Sequence, residues 1–93
     1  MVRIDDQARP ALVRGTRLRT DKATGQPILL YPEGVVHLNE QARAILSRCD
    51  GKSTVDAIVG SLAEEFEADE SEIRRDVAES LGDLIQRKLI ILG

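Results

Sequence analysis

Hydrophobic positions follow two regimes along the chain. Between residues 12 and 38 they come in short runs, and from residue 42 onward they recur every three to four positions. Short runs bounded by turn formers read as strands, whereas the 3.6-residue recurrence reads as helices. A first strand is predicted over Leu12 to Arg19, with Leu12, Arg14, Thr16 and Leu18 on one face. Its alternation is untidy, which suits a sheet edge. The segment DKATGQP is rich in turn formers and places Thr24-Gly25 at a tip before a second strand, Ile28 to Tyr31. Pro32-Glu33-Gly34 then predicts a three-residue hairpin loop, in which proline presets φ and Gly34 takes a positive φ at a bulge. Val35 to Leu38 completes a three-stranded antiparallel meander. Residues 1–11 have no period and are expected to be a flexible tail, leaving 12–93 as one domain.

Three helices are predicted next. Asn39 caps the first, which carries Ala42, Ile45, Leu46 and Cys49 on one face and is stopped by Asp50-Gly51. Ser53 caps the second, with Asp56 three residues on, and Val55, Ile58, Val59, Leu62 and Phe66 form its apolar stripe. Asp69 and Glu72 open the third, which runs to Lys88 or Leu89. The fold class is therefore α+β: a three-stranded antiparallel meander followed by three α-helices.

The third helix has surplus apolar surface. Stepping 100° per residue sets Glu72, Asp76, Glu79, Asp83 and Gln86 on a polar arc, with Ile73, Val77, Leu81 and Leu84 opposite. A second strip holds Ala78, Gly82, Ile85 and Leu89, with Arg74 and Arg75 near its start. The apolar or small arc is about twice the ~100° that docking on one side needs. Two accounts fit. Either two elements of the domain cover the helix, or one strip walls a groove whose other wall is the third strand. In the second case the strand's unpaired backbone groups accept an extended peptide as an added strand.

Charge narrows the function. Residues 1–31 carry a net +3 and residues 32–93 a net −6, together −3. Nucleic-acid binding draws on basic groups facing phosphates, and neither the second nor the third helix is net basic, which disfavours a winged-helix DNA binder. His37 is the only histidine and Cys49 the only cysteine, so a zinc site within the chain, an internal disulfide and a His-based catalytic constellation are not expected. No metal, cofactor or catalytic residue is assigned. No apolar run approaches a membrane span and the N-terminus lacks a signal-peptide core; with Cys49 the only cysteine, a reducing cytoplasm is the expected home.

A resemblance adds a ligand. Leu18-Arg19-Thr20-Asp21, Leu29-Leu30-Tyr31-Pro32-Glu33-Gly34, Leu38-Asn39, Ala42, Ile45-Leu46, Asp50-Gly51, Thr54, Asp76-Val77, Leu81 and Leu84 occur in an order that resembles the PqqD family of pyrroloquinoline quinone (PQQ) biosynthesis, from about residue 9 to the end. The resemblance implies a winged-helix-like peptide recognition element without catalysis of its own. Its partners would be the precursor peptide PqqA and the radical SAM enzyme PqqE, to which the peptide is presented. It also implies a peptide site between the third strand (Val35, Val36, His37, Leu38) and the third helix (Arg74, Arg75, Ala78, Leu81, Gly82, Ile85). Recognition of another ribosomally made peptide is the alternative. A free strand edge also permits homodimers through strand pairing or swapping.

Individual residues have competing roles. His37 is either a plain strand residue or a polar contact to peptide, and Cys49 is expected to be a small buried hydrophobe. Arg74 and Arg75 either meet acidic side chains of a peptide or pair with neighbours such as Glu70 and Glu79. The acids at 64, 65, 67, 69, 70 and 72 are expected on a solvated surface.

Overall fold

The computed structural model describes residues 4–93. It is α+β, with strands β1 (Pro10–Leu12), β2 (Arg17–Thr20), β3 (Pro27–Tyr31) and β4 (Gly34–His37) preceding helices α1 (Glu40–Leu46), α2 (Val55–Phe66) and α3 (Glu70–Gln86) and a last strand, β5 (Ile90–Leu92). The predicted meander is present as the antiparallel sheet β2-β3-β4. Among the described residues, β4 has no strand on its outer side.

The first predicted strand is two. Gly15, at φ +90°, turns the chain after Val13, and the Thr16 N–H bonds the Val13 carbonyl at 2.9 Å. The part before the turn, β1, pairs antiparallel with β5. This corrects the expected tail, of which residues 1–3 lie outside the described residues. Asp6 to Val13 is held by backbone bonds on two sides: Arg9 and Val13 N–H to Gly93 and Leu89 carbonyls, and Val55 and Asp56 N–H to Ala8 and Asp6 carbonyls. Side-chain periodicity carries no trace of such bonds, so the segment reads as featureless.

The hairpin also differs. Tyr31 pairs directly with Gly34 across a two-residue turn of Pro32 and Glu33, and Gly34 does not take a positive φ. The glycine serves a close approach instead. A Cβ there would stand 3.3 Å from the Tyr31 hydroxyl oxygen, so its absence lets the ring lie over the turn.

The helices have short polar starts. Asn39 Oδ1 accepts from the Ala42 N–H, Thr54 (one residue later than the predicted Ser53) accepts from the Ala57 N–H, and Asp69 accepts from the Ser71 N–H. α1 ends at Leu46, before Asp50-Gly51, and tight turns through Arg48 and Cys49 follow it. α3 ends at Gln86 rather than at Lys88 or Leu89. Lys88 adopts the left-handed conformation at φ 62°, and the Leu89 N–H reaches back to the Leu84 carbonyl at 2.9 Å. That reversal sends Leu89 and Ile90 into the core as β5 begins.

One aliphatic core joins Leu29 of the central strand to Ile45, Ile58, Val59, Val77 and Leu81, all at most 1% exposed. Burying each of these side chains contributes about 1.5–3 kcal/mol before entropy is counted. Cys49 belongs to this core, as expected. No helix among the described residues is long and apolar enough to cross a membrane.

Candidate functional site

The exposed edge of β4 follows from its register. Tyr31–Gly34 closes the hairpin, so Gly34 and Val36 point their backbone groups inward toward β3, and the Leu38 N–H continues that pattern to the Pro27 carbonyl at 3.0 Å. Val35 and His37 therefore point N–H and C=O outward. Across from this edge stands the C-terminal half of α3, and the two enclose a cleft of about 190 Å³. Val36, Leu38 and Leu84 give it apolar surface, Ser80, Asp83 and Arg87 supply polar side chains, and His37 lines it at the strand edge. Arg87 Nε lies 3.3 Å from Asp83 Oδ2, so both charges sit at the opening with half-exposed side chains. An extended chain entering here meets main-chain donors and acceptors on one wall and alternating apolar and charged contacts on the other.

Of the expected strand wall, Val36, His37 and Leu38 line this cleft. The Val35 side chain, 47% exposed, lies on the other face of the sheet, so only its backbone serves the edge. None of the residues expected on the helix wall lines this cleft. Leu81 is fully buried in the core, and Gly82 and Ile85 are half-buried, Ile85 packing against that core. Arg74, Arg75 and Ala78 line a different depression of about 410 Å³ with Ile4 and Asp6 of the N-terminal segment. The helix row facing β4 is instead Ser80, Asp83, Leu84 and Arg87, at i, i+3, i+4 and i+7. The N-terminal segment, through Asp6, and β5 approach α3 on the side of the apolar strip, while Arg75 and Ala78 stay exposed there. Asn39 and Ala42 of α1 close the end of the cleft and were likewise not foreseen as site residues.

Arg74 pairs internally. Its guanidinium reaches Asp6 at 2.7 Å, Asp56 at 2.8 Å and Glu70 at 3.2 Å. The hydrogen bond to Asp56, aided by Asp6 and opposed by desolvation, raises its pKa above the ordinary arginine value. The acids at 64, 65, 67, 69, 70 and 72 are exposed as expected, with Glu65 held by Arg48 at 2.7 Å. The Cys49 thiol is pushed up to about 12 by burial, with Asp50 adding to the rise, and it donates to the Ile45 carbonyl at 3.3 Å. It is a neutral packing group.

Comparison with known proteins identifies the family. The family model for Coenzyme PQQ synthesis protein D (PqqD) matches residues 27–90, which hold β3, β4 and all three helices. The PqqA binding protein of Xanthomonas campestris pv. campestris (strain B100) is 45% identical over 83 residues, 89% of this chain and 90% of that one. The PqqA binding protein of Xanthomonas oryzae pv. oryzae (strain PXO99A) is 41% identical over 92 residues, 99% of this chain and all of that one. Among solved structures, the solution structure of the PqqD truncation of Methylobacterium extorquens PqqCD superposes with a TM-score of 0.78 at 35% identity. That match covers 88% of this chain and 87% of that one, and the relative is described as a functional, stand-alone recognition element for ribosomally synthesised and post-translationally modified peptides. The crystal structure of PqqD from Xanthomonas campestris gives a TM-score of 0.59 at 42% identity, covering 94% and 97%. On the family match and these identities, the chain belongs to the PqqD family.

Proposed function

We propose that this chain is a non-catalytic adaptor that binds a PqqA-type precursor peptide as an added strand along β4, against the Ser80–Arg87 face of α3. It presents the peptide, in the cytoplasm, to a radical SAM enzyme of the PqqE type during PQQ synthesis. The observation that carries this reading is the open cleft: β4 turns the backbone groups of Val35 and His37 outward, opposite a helix face that mixes Leu84 with Asp83 and Arg87. The names of the relatives as PqqA binding proteins support the ligand, and the description of the Methylobacterium relative supports the adaptor role. Arg75, Ala78, Gly82 and Ile85, expected from the sequence, do not line this cleft.

Calorimetric titration of the full chain with the PqqA peptide of the same organism tests the reading. Saturable one-to-one binding at micromolar or lower Kd supports it, and no binding at hundreds of micromolar peptide contradicts it. The free edge of β4 also suits a second copy of the chain. Sedimentation with and without peptide separates the two uses, because peptide and partner compete for the same backbone groups.

A further inference from the structure

A second cavity lies on the same side of α3. It encloses about 330 Å³ between the first turn of α1, the end of α2 and the N-terminal half of α3. Phe66, 53% exposed, forms one wall, with Ala68 and Ile73 beside it. The rim is acidic: Glu40, Glu72 and Asp76 line it, and no basic side chain does among the described residues. Arg43 reaches Glu40 at 3.5 Å, so among the described residues Glu72 and Asp76 are the carboxylates there that form no ion pair. A fold that exposes its lone phenylalanine at the mouth of an apolar hollow ringed by carboxylates suits a guest with a matching side chain and a positive charge beside it.

The cavity continues the β4 cleft. Both use α3, and both use α1, whose Asn39 and Ala42 line the cleft while Glu40 and Gln41 line the cavity. Between them the Gln41 side-chain amide donates to Asp76 at 2.7 Å. Their centres on α3 are about nine residues apart, or roughly 13 Å at 1.5 Å per residue, which about four extended residues span.

We propose that this cavity is a second subsite for the peptide that pairs with β4. It takes an aliphatic or aromatic side chain about four residues from the paired segment, with a lysine or arginine next to it that meets Glu72 and Asp76. The proposal rests on the peptide reading above and deepens it.

The test uses the full chain and the PqqA peptide of the same organism, with Phe66→Ala, Glu72→Lys and a control, Glu79→Lys, exposed on α3 outside both hollows. Phe66→Ala and Glu72→Lys are expected to weaken binding by about three- to tenfold, with Glu79→Lys within about twofold of the parent chain. A peptide whose basic residue near the anchor is replaced by glutamate is expected to recover affinity for Glu72→Lys. Unchanged binding by both cavity variants, with the parent chain still showing peptide-induced amide shifts on β4, overturns the subsite and leaves the peptide reading standing. No binding by the parent chain overturns both.

Discussion

Arg74 Nη1 lies 2.7 Å from Asp6 Oδ1, tying the first turns of α3 to a carboxylate 68 residues earlier in the chain. With Asp56 and Glu70 on its other nitrogen, the guanidinium holds the N-terminal segment and the start of α2 against α3. The pairs are partly exposed, so each is modest and their joint geometry is what counts. Arg74→Ala is predicted to cost about 1 kcal/mol, a fall in Tm of about 4–8 °C for a domain of this size. Its affinity for PqqA should stay within about twofold. A thermal melt and one titration decide this; a large loss of affinity with unchanged Tm would return Arg74 to the peptide site.

His37 separates backbone from side chain. Its N–H points away from β3, so proline at this position removes an outward donor and no ladder bond. His37→Pro is predicted to keep the circular dichroism of the parent chain and to lose about tenfold in peptide affinity, whereas His37→Ala loses much less. Equal effects of the two variants would mean that the imidazole, not the edge, makes the contact.

The β1–β5 pairing makes the C-terminus part of the fold. Ending the chain after Leu89 removes Ile90, which is 2% exposed, along with the carbonyl that holds Arg9. Loss of a buried aliphatic residue costs about 2–5 kcal/mol. Hydrogen exchange should show a faster Arg9 amide in the shortened chain, with β3 protection lowered only by the global loss. Unchanged exchange at Arg9 would contradict the pairing.

Acid should destabilise the molecule through its turns and caps. Asp50 is held below the usual carboxylate range by Ser53 and Lys52 backbone N–H groups, and Asp69 by the Ser71 hydroxyl and backbone. A depressed carboxylate stabilises the fold above its unfolded pKa of about 3.9, and that contribution fades as pH falls through the lower folded value. Tm is predicted to be flat from pH 7 to about 5 and to fall below pH 4. In Asp50→Asn/Asp69→Asn the acid slope should be shallower; an identical slope would remove these two groups as its source.

Local signals were legible in the sequence where they arise from neighbours in the chain. The β2–β4 meander, the Asp21–Gln26 turn with Gly25 at φ 76°, and the caps Asn39 and Asp69 all follow from nearby residues. Strand β4 itself was legible for the same reason. What packs across the molecule was not. Asp6 to Val13 read as free because it is held by backbone bonds to Val55, Asp56, Leu89 and Gly93 that no side-chain pattern encodes. The helix row that lines the β4 cleft, Ser80, Asp83, Leu84 and Arg87, lies beside the row expected from the sequence. Lys88 ended α3 without the glycine that usually marks a left-handed cap, and so concealed β5.

Amide chemical-shift mapping of the uniformly ¹⁵N-labelled chain, titrated with PqqA peptide, tests the central claim most directly. Binding in the β4 cleft predicts the largest shifts at Val35 to Leu38 and at Ser80, Asp83, Leu84 and Arg87, with Arg75 and Ala78 little changed. Shifts concentrated on Arg74, Arg75 and Ala78, with β4 silent, would contradict it.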